Sequence, residues 1–278
     1  MNLIAKRFIN LPNLSLIFLT LFWIFVIQNT FSAEGAPCKD YGECDEFKHT
    51  LTDMTSLQRG ASTYLTYCYG CHSLEYSRWN RVASDLEIPE EIFFNNLVFD
   101  ASVRPGDLMA GSMSKAESAV WFGVAPPDLT LVTRLHGSDW VYTYLRTFYE
   151  DSSKQYGVNN LVYPGAAMPN VLASLQGNQQ LICKQIPVIA ENGGEKRDNF
   201  GNTITKEKCG FLSVESGTGT LNKDEFDNLI YDLTNFLTYV GDPDKVERER
   251  IGWYVVFFFI IFTTLASLLY REYQKDYH

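Results

Sequence analysis

Two cysteines separated by two residues and followed at once by histidine, Cys68-Tyr69-Gly70-Cys71-His72, restrict this chain more than any other stretch. That spacing is what covalent attachment of a c-type haem requires, so the fold must close around a flat, apolar macrocycle. On a helix, Cys68 and Cys71 would lie about one turn apart on one face, within reach of both vinyl groups of one porphyrin. His72 would then present its imidazole to the iron, and Gly70 would add no side chain where the ring lies close. A zinc half-site or a redox dithiol uses the same Cys-x-x-Cys. A zinc ribbon needs a second cysteine pair at similar spacing, and Cys38, Cys44, Cys183 and Cys209 supply none.

Haem attachment of this kind takes place outside the cytoplasm, and the chain carries a matching address. Leu14 to Ile27 is an apolar run preceded by Lys6 and Arg7 and followed by the small residues Ser32 and Ala33. It reads as a secretory signal peptide over 1–32, with an uncleaved anchor as the alternative. A second run, Ile251 to Tyr270, holds no charged residue and is long enough to cross roughly 30 Å of hydrocarbon as a helix. It predicts a transmembrane anchor at 251–270. Basic residues flank it on both sides (Lys245, Arg248 and Arg250 before, Arg271 and Lys275 after), so orientation follows from the export signal: haem domain outside, tail 271–278 in the cytoplasm. Without residues 1–33, which carry Lys6 and Arg7 and no acidic residue, the chain has a formal charge of −12; such acidity disfavours nucleic acid and suits either a basic protein partner or simple solubility. Once two cysteines are committed to haem, the remaining four allow three disulfide pairings in an exported protein. Cys183 with Cys209 and Cys38 with Cys44 are the favoured set.

Between these landmarks the chain alternates helical patterns with loops. Residues 33–54 lack periodicity and form an extended lead-in. Leu57, Ala61, Tyr64, Leu65 and Cys68 recur at helical spacing and carry a helix into the haem motif, with Gly60 permitting close approach of another backbone. Pro89 precedes a further helix carrying Ile92, Phe93, Asn96 and Leu97. In Ala125-Pro126-Pro127-Asp128-Leu129-Thr130, two prolines stiffen the entry to a helix that Asp128 can cap. Arg134 on that helix could pair with a haem propionate or simply be solvated. His136 reads as a structural turn residue, and Trp140 to Tyr149 as an aromatic helix. Met168, held between Gly165-Ala166-Ala167 and Pro169, suits a distal iron ligand, with Met54, Met109 and Met113 as competitors. Residues 177–220 read as an insert whose strands form a small β-hairpin flap. Phe226, Leu229, Ile230, Leu233, Phe236, Leu237 and Val240 mark a helix able to cross the one bearing Gly60, ended by Gly241-Asp242-Pro243.

Arg59-Gly60 ahead of the haem motif, Trp121-Phe122-Gly123, the 125–130 block with Arg134, Gly157-Val158-Asn159-Asn160, Met168-Pro169-Asn170 and the single C-terminal span together resemble the cytochrome c1 family, above all its gammaproteobacterial members. These proteins are the haem subunit of the quinol:cytochrome c oxidoreductase, the bc1 complex. The resemblance implies one covalently bound haem c held by Cys68 and Cys71, with His72 and Met168 as axial ligands and Arg134 by a propionate. It also implies cytochrome b, the Rieske iron-sulfur protein and a c-type cytochrome acceptor as partners, in a dimeric complex of the bacterial inner membrane with the haem domain in the periplasm. The predicted architecture is an all-α, class I-like cytochrome c domain at 55–244 with inserted loops and the hairpin flap, plus one transmembrane helix. Electron transfer is the expected role, because iron with both axial positions filled has none open for substrate. Two rival classes share the haem motif. Another membrane-tethered monohaem cytochrome, such as an oxidase electron-donor subunit, would lack the 125–130 block. A haem-based sensor would need an exchangeable distal ligand.

Overall fold

The computed structural model describes residues 36–38, 41–111, 113–189 and 194–275. The signal peptide expected at 1–32 and the end of the tail lie outside the described residues. Among those described, the chain is mostly helical. The elements run α1 (Met54–Tyr67), β1 (Leu74–Arg78), α2 (Trp79–Asp85), α3 (Glu90–Leu97), β2 (Leu108–Met109), α4 (Lys115–Phe122), α5 (Val132–His136), α6 (Ser138–Arg146), β3 (Phe148–Glu150), β4 (Val158–Asn160), α7 (Ala173–Gln176), β5 (Gln179–Pro187), β6 (Thr205–Val214), α8 (Lys223–Gly241) and α9 (Lys245–Lys275).

The core is built on the crossing of α1 and α8. Asp53 starts α1 by accepting the Ser56 N–H at 3.1 Å, and Asn222 starts α8 through a capping box with Glu225. Each helix turns an apolar stripe inward: Leu57, Ala61, Tyr64 and Leu65 from α1, and Phe226, Ile230, Leu233, Phe236 and Leu237 from α8. Gly60 lies directly under the Asp232 carbonyl at the crossing. Arg59, one residue earlier, grips the Asp232 side chain with two parallel hydrogen bonds at 2.5 and 3.0 Å. The core continues through Trp79 and Phe93 on one side and Val141, Leu145 and Leu172 on the other.

The strands pair only in twos among the described residues: β1 with β2, β3 with β4, β5 with β6. The aromatic run expected as one helix over 140–149 divides in two. Helix α6 ends at Arg146, and Phe148 and Tyr149 pair across an antiparallel ladder with Asn160 and Asn159. The cause is tertiary: the Asn160 amide takes the Tyr144 carbonyl at 2.8 Å, and β4 offers ladder partners that continued helix would lack. In the β5–β6 pair, Cys183 stands opposite Cys209 and is bonded to it; Cys38 is bonded to Cys44.

The segment before α1 is irregular but tied down. The Asp45, Phe47 and Thr50 amides donate to side chains of Thr143, Asp139 and Asn235. Arg146 completes the attachment by pairing with Asp45 at 2.6 Å and Asp227 at 2.8 Å, its guanidinium 4.5 Å above the Tyr142 ring. Burial of Asp227 opposes its charged form, but hydrogen bonds from Lys223 and Arg146 outweigh this and hold its pKa below the ordinary value. A depressed carboxylate stabilises the fold above the unfolded pKa of about 3.9. That contribution disappears as pH falls through the lower folded value. Asp227→Asn should therefore flatten the acid limb of melting temperature against pH, and an unchanged limb would show that the pair contributes nothing.

Helix α9 leaves the domain after Asp242-Pro243. At 31 residues it is roughly 46 Å long, and none of its residues is buried. Its middle, with Trp253 and Phe257 to Phe262, exposes apolar side chains on every face, as a helix surrounded by lipid would. Its start is fastened to the domain: Arg248 forks onto Asp242, Arg81 joins Asp244 to Asp85, and Lys245 meets His49 at 2.8 Å.

Candidate haem site

Helix α1 stops at Tyr67, so the Cys-x-x-Cys-His stretch is not a continuation of the helix. It follows as hydrogen-bonded turns, with the Cys68 amide on the Tyr64 carbonyl and the Cys71 and His72 amides both on the Cys68 carbonyl at 3.0 and 2.9 Å. These turns still bring Cys68, Cys71 and His72 to one cavity of about 410 Å³. Both cysteines are free thiols, whereas the other four are paired. Burial, and secondarily Cys71, pushes the Cys68 thiol up to about 12, so it is neutral.

The two sides of the Pro126-Pro127-Asp128 turn hold the motif in place. Pro127 offers its carbonyl oxygen to His72 Nδ1 at 2.7 Å. A carbonyl only accepts, so Nδ1 carries the proton and Nε2 keeps its lone pair. Burial lowers the pKa of this imidazole and keeps it neutral. The Tyr64 hydroxyl donates to the His72 carbonyl at 2.8 Å. Asp128 was expected to cap the next helix, but α5 has no side-chain cap. Asp128 instead accepts from the Ser73 hydroxyl and the Glu75 and Thr130 amides at 2.6–2.9 Å. It locks the residues after His72 to the proline turn.

Met168 lines the same cavity, unlike Met54, Met109 and Met113 among the described methionines. Met109 is fully buried in the core. The loop to Met168 is held by two asparagines on β4. Asn159 accepts the Gly165 amide at 2.8 Å, and Asn160 accepts the Val162 and Tyr163 amides. Gly165 has φ +80°, a backbone position that excludes most side chains. On the far side, Asn170 accepts the Leu172 amide and turns the chain away. Tyr144 donates its hydroxyl to Met168 Sδ at 3.6 Å, and burial holds the phenol pKa above the ordinary value.

The walls between His72 and Met168 are largely carbon: Leu129, Val132, Trp140, Leu233 and Leu237 among them, with Phe122 from the end of α4. A flat apolar group with one covalent edge and a metal centre fits this set, with two free thiols at one side, an imidazole lone pair and a thioether at the same cavity, and no carboxylate in the lining. His136, read as a turn residue, lines the cavity and stacks on Trp140. Arg134 does not line it: its side chain is exposed beside Gly241, and its charge acts on Asp242. A third cysteine grouping, Cys183, Glu207 and Cys209, offers no metal site because the two sulfurs are bonded to each other. Sequence reasoning missed the Pro127 acceptor, the Asp128 lock and the Tyr144 donor. The Asn159-Asn160 pair was visible as a family stretch without its task.

The family model for the Cytochrome C1 family matches residues 46–179, which take in the haem motif, the proline turn and Met168. The cytochrome c1 of Allochromatium vinosum is 48% identical over 228 residues, covering 82% of this chain and 87% of that protein. The ammonia monooxygenase gamma subunit of Nitrosomonas europaea is 38% identical over 226 residues, covering 81% and 85%. The mitochondrial cytochrome c1 haem protein of Schizosaccharomyces pombe is 23% identical over 239 residues, covering 80% and 67%. The 48% identity to the Allochromatium vinosum cytochrome c1 over most of both chains, together with the family match across most of the residues that form the cavity, makes this chain a member of the cytochrome c1 family, whose proteins carry covalently bound haem c.

Proposed function

We propose that this chain is the haem-bearing, membrane-anchored subunit of a bc1-type quinol:cytochrome c oxidoreductase, taking electrons from a Rieske iron-sulfur protein and passing them to a c-type cytochrome. The observation that carries the reading is the single apolar cavity lined at once by the Cys-x-x-Cys-His residues and Met168. Cys68 and Cys71 would hold the haem through thioethers, and His72 Nε2 and Met168 Sδ would ligate its iron. One-electron exchange between ferric and ferrous iron is the chemistry the haem supplies when bound. The chain's own residues keep that exchange clean. Pro127 fixes the His72 tautomer, Asn159 and Asn160 hold the Met168 loop, and the carbon walls exclude water, which limits reorganisation around the iron. With His72 and Met168 both ligating the iron, this chain would leave no open position for substrate, and bond-making on quinol would belong to partner subunits.

The fold of residues 55–244 is class I-like with inserted loops, the β5–β6 pair forming a peripheral flap on 177–220. Arg134 is exposed and does not line the cavity, and its pairing with a propionate rests on family resemblance alone. The signal peptide at 1–32 supports a periplasmic haem domain at the bacterial inner membrane, with α9 crossing the bilayer and 271–278 in the cytoplasm. Cytochrome b is the membrane neighbour of α9, and the complex is a dimer.

Because one relative at 38% identity carries the name of an ammonia monooxygenase subunit, the decisive experiment identifies the host complex. Purification of the full chain in mild detergent should bring down a b-type cytochrome and a Rieske cluster, with quinol reducing the c-type haem. Recovery of the chain alone, or with a monooxygenase and no Rieske signal, overturns the assignment.

A further inference from the structure

One wall of the cavity is a ladder of aromatic rings that ends on sulfur. His136, Trp140 and Tyr144 follow one another at a spacing of four and all line the cavity. The His136 and Trp140 rings lie 4.4 Å apart at 22°, and Trp140 and Tyr144 lie 4.9 Å apart at 6°. Phe148 meets Tyr144 edge-on at 5.1 Å and 71°. The Tyr144 backbone is held as well, its carbonyl accepting the Asn160 amide at 2.8 Å. A ring fixed by a parallel neighbour, an edge contact and its own backbone has little freedom to turn. Its hydroxyl stands 3.6 Å from Met168 Sδ.

A thioether sulfur has two lone pairs. Giving one to a hydrogen bond leaves the other for a metal and directs it, because the sulfur can no longer rotate without losing the donor. The hydrogen bond also draws electron density from the sulfur, which weakens its donation to ferric iron more than to ferrous iron. Groups that act on a ligand in this way tune the metal without touching it.

We propose that Tyr144 is a positioning residue for Met168: its hydroxyl aims the thioether into the cavity and raises the reduction potential of the bound haem, and the His136–Trp140 stack holds Tyr144 in place to do so. This inference rests on Met168 as the distal ligand. Asn160 serves both halves of the arrangement, since the side chain that holds Tyr144 also accepts the amides of Val162 and Tyr163 on the way to Met168.

Tyr144→Phe keeps the ring, the stack and the edge contact with Phe148, and removes only the donor. In the detergent-purified complex it should retain full covalent haem and an unchanged melting temperature. The midpoint potential should shift downward, and the ferric thioether-to-iron charge-transfer band should persist at a shifted energy. Trp140→Leu, which loosens the ring and leaves the hydroxyl, should move the potential in the same direction by less, and it decides the question if Tyr144→Phe does not assemble. An unchanged or raised potential with an unmoved band in Tyr144→Phe overturns the proposal. Failure of the underlying reading looks different: Met168→Leu would then leave the charge-transfer band intact.

Discussion

Met168→Leu should remove the ferric thioether charge-transfer band, lower the midpoint potential and allow the reduced protein to bind carbon monoxide. Leucine matches methionine closely in volume, so the loop and its Asn159 and Asn160 supports are preserved. What is lost is the sulfur lone pair, and no other described methionine lines the cavity to replace it. Thioether ligation favours ferrous iron, so its loss lowers the potential by on the order of 100 mV or more, within the roughly 0.8 V range that axial ligands span. If His72 and Met168 are the two iron ligands as proposed, the unmodified reduced protein should bind no carbon monoxide. Optical redox titration with and without carbon monoxide checks all three outcomes. A variant that keeps the band identifies a different ligand, and binding by the unmodified protein would favour a sensor over an electron carrier.

The parts of this structure that were legible in the sequence are those governed by local period. Helices α1 and α8 announce themselves through apolar residues at three and four, and the Gly60 gap marks where one can cross the other. The haem motif is legible because its chemistry demands consecutive residues. Apart from the helix crossing, the disulfides and Met168, relations between distant segments were not legible. Phe148 and Tyr149 extend an aromatic run that looks helical until β4 supplies partners ten residues further on. The acceptor for His72 is a backbone carbonyl at Pro127, and every residue has one, so no side-chain signal distinguishes it. Asp128 looks like a helix cap by position, but its carboxylate faces back to Ser73 and Glu75. Arg134 shares a short helix with residues that line the cavity and still points outward, because five residues of α5 present more than one face. Tyr144 gives one more aromatic residue to an aromatic stretch, and only the folded loop reveals a sulfur beside its hydroxyl.

The α1–α8 crossing makes the sharpest prediction about folding. In an isolated helix, Gly60→Ala would be favourable by about 1 kcal/mol, through reduced backbone entropy in the unfolded chain. Here the added Cβ would fall inside van der Waals contact of the Asp232 carbonyl oxygen and 2.7 Å from Phe236 Cβ. Neither neighbour can swing aside, since one is helix backbone and the other is the root of a fully buried side chain. The helices must therefore separate, which opens the layer formed by Leu57, Ala61, Tyr64, Leu233 and Phe236 and strains the Arg59–Asp232 fork. Overpacking of this kind, with no route for local relaxation, costs about 3 kcal/mol or more. It outweighs the propensity gain and consumes a large share of a total stability of roughly 5–15 kcal/mol. Because α1 delivers Cys68 and α8 supplies Leu233 and Leu237 to the cavity wall, the same displacement should reduce covalent haem content. Gly106→Ala is the matched control, since a Cβ there meets no atom within 4 Å. The expected result is a strongly lowered melting temperature and haem yield for Gly60→Ala beside near-normal values for Gly106→Ala. Equal values for the two would mean that the helices can part at little cost, and that the crossing is not what holds the haem wall in place.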